Sequence, residues 1–128
     1  MTIAPLRDGF RTVTPRIVVA DVSAQLEFLR VVFGGIGELG ADGLSEIRIG
    51  DSLILVASAV DRAAFPAFLY VYVVDADATF ARAVAAGAVV IEEPLDTPYG
   101  DRRAMVRDPF GNVWQIAHLR ESSGSRVE

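Results

Sequence analysis

Cysteine is absent from this 128-residue chain, and histidine occurs once. The first absence excludes a disulfide framework and a thiolate zinc site, and it fits a reducing cytoplasm. The second matters for catalysis, because a lone histidine acting as a base needs a partner, and no residue near His118 is an obvious one. Long apolar runs are also missing, so no segment has the length that crosses a bilayer. The N-terminus, Met1-Thr-Ile-Ala-Pro-Leu-Arg-Asp, lacks a basic start leading into an apolar core, and no secretory signal is expected. Basic residues number 12 against 17 acidic ones, for a net charge of −5. They are scattered without a dense patch, so neither nucleic acid nor an anionic membrane is an expected partner. Gly34-Gly35-Ile36-Gly37 follows a predicted helix instead of opening one, which removes the setting of a phosphate cradle. Nothing in the chain suggests a Ser–His–acid arrangement.

About half the residues are apolar (52%), which is ample for a packed interior. The length fits one domain, or two small halves sharing a core. After an irregular leader, Thr12–Ala20 reads as a strand, with Pro15 marking an edge or a start. Asp21-Val-Ser23 opens a helix that runs to about Val32, with Val22, Leu26, Leu29 and Phe33 at helical spacing and Gly34-Gly35 as the stop. Residues 36–45 are glycine-rich and poorly patterned. Glu46–Ile49 and Ser52–Ser58 flank a Gly50-Asp51 turn as a hairpin. Residues 59–66, with Asp61, Arg62 and Pro66, read as a crossing.

The second half repeats the first. Ala67–Val74 is a predicted strand, Asp75-Ala-Asp77 a second cap, Ala78–Ala86 a short helix and Gly87 its stop. Ala88–Ile91 is a predicted strand and Glu92–Asp101 a predicted loop. Asp108-Pro-Phe-Gly111 then carries the residues a tight turn needs, with apolar-rich runs Ala104–Val106 and Val113–Leu119 on either side as a closing hairpin. In the last strand Val113, Gln115 and Ala117 share one face, and Trp114, Ile116 and His118 share the other. Residues 121–128 read as a mobile tail. Two strand–helix–strand–strand–strand units, module 1 at about 12–60 and module 2 at about 67–120, each have a covered and a bare sheet face. They can set their bare faces around a common cavity.

Three stretches carry a family resemblance. Thr14-Pro-Arg-Ile-Val-Val-Ala-Asp-Val with Leu26-Glu-Phe28 and Val32-Phe33-Gly34 is the first. Val73-Val-Asp-Ala-Asp-Ala with Ala85-Ala-Gly87-Ala is the second. Tyr99-Gly-Asp-Arg102 with Asp108-Pro-Phe-Gly-Asn112 is the third. Over residues 12–120 the chain resembles the vicinal-oxygen-chelate superfamily, which holds glyoxalase I, extradiol dioxygenases and the fosfomycin- and bleomycin-resistance proteins. The closing hairpin resembles the PhnB-like branch. The resemblance implies an α+β fold of two βαβββ modules forming a cupped mixed sheet, and a homodimer. It speaks for fold, since one fold hosts many chemistries.

Metal-dependent members of that superfamily carry ligands on inward positions of the first and last strands of each module. The resemblance places Thr14, Leu55, Leu69 and Gln115 there. Thr and Gln are weak neutral donors and Leu is none, whereas a divalent ion needs deprotonated donors. The expectation is therefore no metal and no cofactor. Arg16 points by alternation into the cup beside Thr14, either to touch a ligand or to pair with a carboxylate or a dimer partner. Arg103 either reaches a ligand's anionic or carbonyl group or anchors the turn by a salt bridge. Glu92 and Glu93 read as solvated, and His118 as a partly buried or surface residue. The candidate ligand-binding set is Thr14, Arg16, Leu55, Leu69, Arg103 and Gln115, with no catalytic residue assigned. An apolar cup with a few orienting polar groups points to a cytoplasmic, metal-free small-molecule-binding protein, as in the bleomycin-resistance branch. The alternative is a metal-independent isomerase or lyase that uses Arg16, Gln115 or Arg103 for charge stabilisation. A metal-dependent lyase or dioxygenase is disfavoured by the four ligand positions.

Overall fold

The structure, a computed structural model, describes residues 4–41, 44–60 and 62–120. The predicted tail at 121–128 and Asp61 of the crossing lie outside these residues. The chain divides between Pro66 and Ala67 into two compact units.

In the first unit, β1 (Arg16–Val19) leads into α1 (Val22–Phe33), followed by β2 (Leu44–Ile49) and β3 (Ser52–Ser58). The sheet order is β1-β3-β2, with β1 parallel and β2 antiparallel to β3. The helix begins where Asp21 accepts the Ala24 N–H at 3.0 Å, satisfying one of the free donors of its first turn. It ends at Gly34, whose φ of 69° is the left-handed conformation that a glycine adopts without steric cost. There the N–H groups of Gly34 and Gly35 return to the carbonyls of Arg30 and Leu29. Leu26, Leu29 and Val32 of α1 are buried, as are Ile17, Val19, Ile47 and Val56 of the sheet. Full burial of each large aliphatic side chain contributes about 1.5–3 kcal/mol.

Two expectations change in this unit. The predicted strand Thr12–Ala20 contracts to four residues. Pro15 offers only a carbonyl, which accepts from the Leu55 N–H at 3.0 Å, and ladder pairing begins after it. Of the unpatterned stretch 36–45, Leu44 and Ser45 join β2, and among the described residues before them one pair forms at the outer edge, in which Ile36 and Arg48 exchange both backbone hydrogen bonds at 2.8 and 2.9 Å. Next to it, Gly37 has no room for a side chain, because a Cβ there would run into the Glu46 carbonyl.

The second unit contains β4 (Phe68–Tyr72), α2 (Ala76–Ala85), β5 (Val89–Asp96), β6 (Asp101–Arg107) and β7 (Val113–Leu119). The order is β4-β7-β6-β5, with β4 parallel to β7 and the other pairs antiparallel. Two side chains serve the start of α2. Asp75 accepts from the Ala78 N–H at 3.1 Å, and His118 Nδ1 accepts from the Ala76 N–H at 2.8 Å. The lone histidine therefore spends a ring nitrogen on a helix terminus. The segment Glu92–Asp101, expected as a loop, is largely strand. β5 continues to Asp96 through register shifts on both sides of Glu92, and it tolerates Pro94 because it is an edge strand with an irregular ladder.

The turn between β6 and β7 is built on a buried carboxylate. Asp108 accepts from the N–H groups of Phe110 and Asn112 at 2.9 and 3.0 Å, and from the Trp114 indole at 2.9 Å. Asn112 in turn accepts the Ala67 N–H at 2.8 Å, which fixes the entry to β4. Asp-Pro-Phe-Gly-Asn thus acts as a structural knot around the buried Trp114. The protein is α+β, with two βαβββ-like modules forming mixed sheets. In each, one sheet face is covered by the module's helix.

Candidate functional site

On the second sheet the register decides which residues share the face away from α2. Gln115 lies opposite Met105 on one side and Tyr70 on the other. Leu69 pairs with the buried Trp114, so it belongs to the helix side. The position beside Gln115 that the resemblance assigned to Leu69 is therefore held by Tyr70, one residue on. The open face collects Phe68, Tyr70 and Tyr72 from β4, Asp101, Arg103 and Met105 from β6, and Glu92 from β5.

A continuous polar chain runs across this face. Arg103 donates from Nη2 to Glu92 at 2.7 Å and from Nη1 to the Tyr99 hydroxyl at 3.0 Å. The Tyr99 and Tyr70 hydroxyls lie 3.1 Å apart. Tyr70 and Tyr72 both donate to Asp101 Oδ2, at 2.6 and 2.8 Å. Asp101 is 2% exposed, and it sits in a tight turn where Thr97 bonds both its N–H and its carbonyl. The chain has three tyrosines in all, and this carboxylate and its neighbour Arg103 engage every one of them.

The electrostatics follow from these contacts. Burial, and then the bond to Asp101, push ionisation of Tyr70 far above the ordinary phenol range. Tyr72 is raised as well, chiefly by its bond to Asp101. Tyr99, which receives a hydrogen bond from the Arg103 guanidinium, is lowered instead, so it is the phenol of the three that ionises first. Glu92 holds the Arg103 charge in place. Arg103 Nε is buried without an acceptor. The Gln115 side-chain amide makes no hydrogen bond among the described residues.

Of the two roles weighed for Arg103, the structure holds the salt bridge, to Glu92, with the side chain on the open face. Glu92, expected to be solvated, is half-buried in that pair. On the first sheet, Arg16 and Leu55 are direct register partners on the face away from α1, and Arg16 is exposed. Thr14 precedes β1, and its hydroxyl donates to the Arg11 carbonyl at 3.3 Å. Tyr70, Tyr72, Tyr99 and Asp101 were not among the predicted site residues. The available signal was the two-residue spacing of 70 and 72 and of 101 and 103, which sets each pair on one face of its strand, whereas Tyr99 stands in the turn before β6.

The donor set does not suit a divalent cation. No group of three His, Asp or Glu residues gathers among the described residues. Beside Gln115 stands a phenol already donating to a carboxylate, and beside Leu55 a guanidinium that would repel the ion.

With this geometry in hand, the comparisons with known proteins define the class. Residues 11–116 match the Glyoxalase/Bleomycin resistance protein/Dioxygenase superfamily, and the chain belongs to it. It is 29% identical over 135 residues to the Uncharacterized protein Rv0887c of Mycobacterium tuberculosis, covering 90% of this chain and 79% of that protein. The crystal structure of TioX from Micromonospora sp. ML1 superposes with a TM-score of 0.72 at 23% identity, covering 84% of this chain and 97% of TioX. That likeness concerns the fold. A shorter stretch of 48 residues is 50% identical to the Anthracycline biosynthesis protein DauV of Streptomyces sp. (strain C5), covering 38% of this chain and 17% of DauV.

Proposed function

We propose that this protein binds an oxygenated, largely apolar small molecule on the open face of its second sheet, without a resident metal. The observation that carries the reading is the unpaired Gln115 amide beside the Arg103–Tyr99–Tyr70–Asp101 chain, flanked by exposed aromatic surface at Phe68 and Tyr72. A few fixed polar groups on an apolar floor are what orient a ligand. Arg103 and Gln115 supply polar contacts, and Tyr70 fills the position first assigned to Leu69. For the first module taken by itself, Thr14, Arg16 and Leu55 are the proposed contact residues. The segment likeness to DauV favours a fused-ring, anthracycline-like ligand class, and sequestration of such a compound is the role we assign. The reading includes a cytoplasmic homodimer of the PhnB-like branch.

One observation supports a second reading, a metal-independent isomerase or lyase. Tyr99 is exposed, ionises before the other phenols and sits against a guanidinium, which suits a group that exchanges protons. A thermal-shift screen of fused-ring phenols and quinones tests binding, because a ligand of the folded state raises the melting temperature. Gln115→Ala should keep the parent melting temperature without ligand and lose most of the ligand-induced rise. An unchanged rise in this variant refutes the placement. Recovery of the ligand unaltered after long incubation supports binding alone, and a new product supports the enzyme.

A further inference from the structure

The polarity of the phenol chain restricts what can complete it. A tyrosine has a single hydroxyl proton. Tyr70 commits its proton to Asp101, at 2.6 Å, so the 3.1 Å bond between Tyr70 and Tyr99 is donated by Tyr99. Tyr99 also receives a hydrogen bond from Arg103. Its donor and one acceptor site are therefore occupied, and what remains is an acceptor site on a residue 59% exposed. Every phenol proton in the chain points inward, toward Asp101, and a further group that joins Tyr99 from outside must be a donor.

The charges around it narrow the donor further. The bonded chain holds two carboxylates, Asp101 at its inner end and Glu92 at Arg103, against the one guanidinium, which leaves an excess of negative charge. An anionic ligand group meets repulsion there, whereas a neutral hydroxyl extends the chain without adding charge. The neighbouring Tyr70 and Tyr72 rings, with centroids 5.4 Å apart, and the exposed Phe68 offer an aromatic surface to the rest of the ligand.

We propose that Tyr99 selects ligands by accepting a hydrogen bond from an uncharged phenol- or enol-type hydroxyl, so that hydroxylated aromatic compounds are held while their methyl ethers and carboxylates are refused. This rests on the open-face binding reading above and names the chemistry that the face recognises.

The test uses three probes of one ring system, naphthol, methoxynaphthalene and naphthoate, titrated calorimetrically into the full chain at neutral pH. Naphthol is expected to bind about tenfold more tightly than its methyl ether, the effect of one hydrogen bond plus the acceptor left unpaired. Naphthoate is expected to bind more weakly than either. Tyr99→Phe, at an exposed position, should bring naphthol down to the affinity of the ether and leave the ether unchanged. Glu92→Gln removes one negative charge and should raise naphthoate affinity several-fold. An ether that binds as well as naphthol, a Tyr99→Phe variant that keeps the preference, or naphthoate affinity indifferent to Glu92→Gln overturns the inference and leaves open-face binding standing. If none of the three probes binds, the open-face reading falls with it.

Discussion

Raising the pH probes the polar chain directly, because the chain's three tyrosines all belong to it. In an unfolded chain all three phenols ionise together near pH ~10. In the folded protein Tyr99 is held lower, with the Arg103 guanidinium donating to its hydroxyl, while Tyr70 is held higher by burial and its bond to Asp101, and Tyr72 chiefly by its bond to Asp101. About one third of the tyrosinate absorbance should therefore develop before the ordinary phenol range. The other two thirds should appear only above it, as the alkaline protein unfolds. The sign of the linkage follows. Tyr70 and Tyr72 bind their protons more tightly in the folded state, so their stabilisation is complete below pH ~10 and is lost as the pH rises above it. Unfolding in that window releases up to two protons. Asp101→Asn removes the carboxylate that holds both donors, and it should return the two late phenols toward the ordinary range. Spectrophotometric titration with circular dichroism recorded alongside separates ionisation from unfolding. A single wave in which all three phenols titrate together in folded protein would refute the proposed hydrogen-bond chain.

Four further outcomes are expected. Asp108→Ala leaves the Trp114 indole and two backbone N–H groups without their acceptor, and should cost about 3–5 kcal/mol in urea unfolding followed by the fluorescence of the lone tryptophan. Gly37→Ala drives a methyl group into the Glu46 carbonyl and should cost about 1–3 kcal/mol, seen as a lower melting temperature. His118→Ala removes the acceptor for the Ala76 N–H and should cost about 1 kcal/mol, with faster amide exchange confined to the first turn of α2. Zinc, nickel or manganese added to chelator-treated protein should leave the melting temperature unchanged, and a clear rise with any of them would contradict the donor-set argument.

The parts of the fold set by local chemistry were legible in the residues. Asp21 and Asp75 cap the two helices, Gly34 ends the first, and the hairpin about Gly50-Asp51 forms where the turn residues stand. β3 and β7 have the predicted ends because a turn bounds their starts and apolar residues fill them. Reading failed where pairing partners decide the outcome. Pro94 looks like the end of a strand, yet an irregular edge ladder carries β5 past it. In Phe68-Leu-Tyr-Val-Tyr72 every residue is apolar or aromatic, so composition does not reveal which alternate set faces the helix. That ambiguity put Leu69 where Tyr70 stands. Strand alternation was enough to put Gln115 on one face with Val113 and Ala117, where the register sets it beside Met105 and Tyr70. Asp101 escaped because it was read as the last residue of a loop, when it opens β6 and is buried by the tyrosines that converge on it.

The knot around Asp108 has a practical consequence for anyone searching for the ligand by mutagenesis. A random library scored by loss of binding will be crowded with substitutions at 108, 112 and 114. These report an unravelled hairpin and say nothing of recognition. Only a screen normalised to the yield of folded protein will let the gentler losses proposed at 99, 103 and 115 stand out.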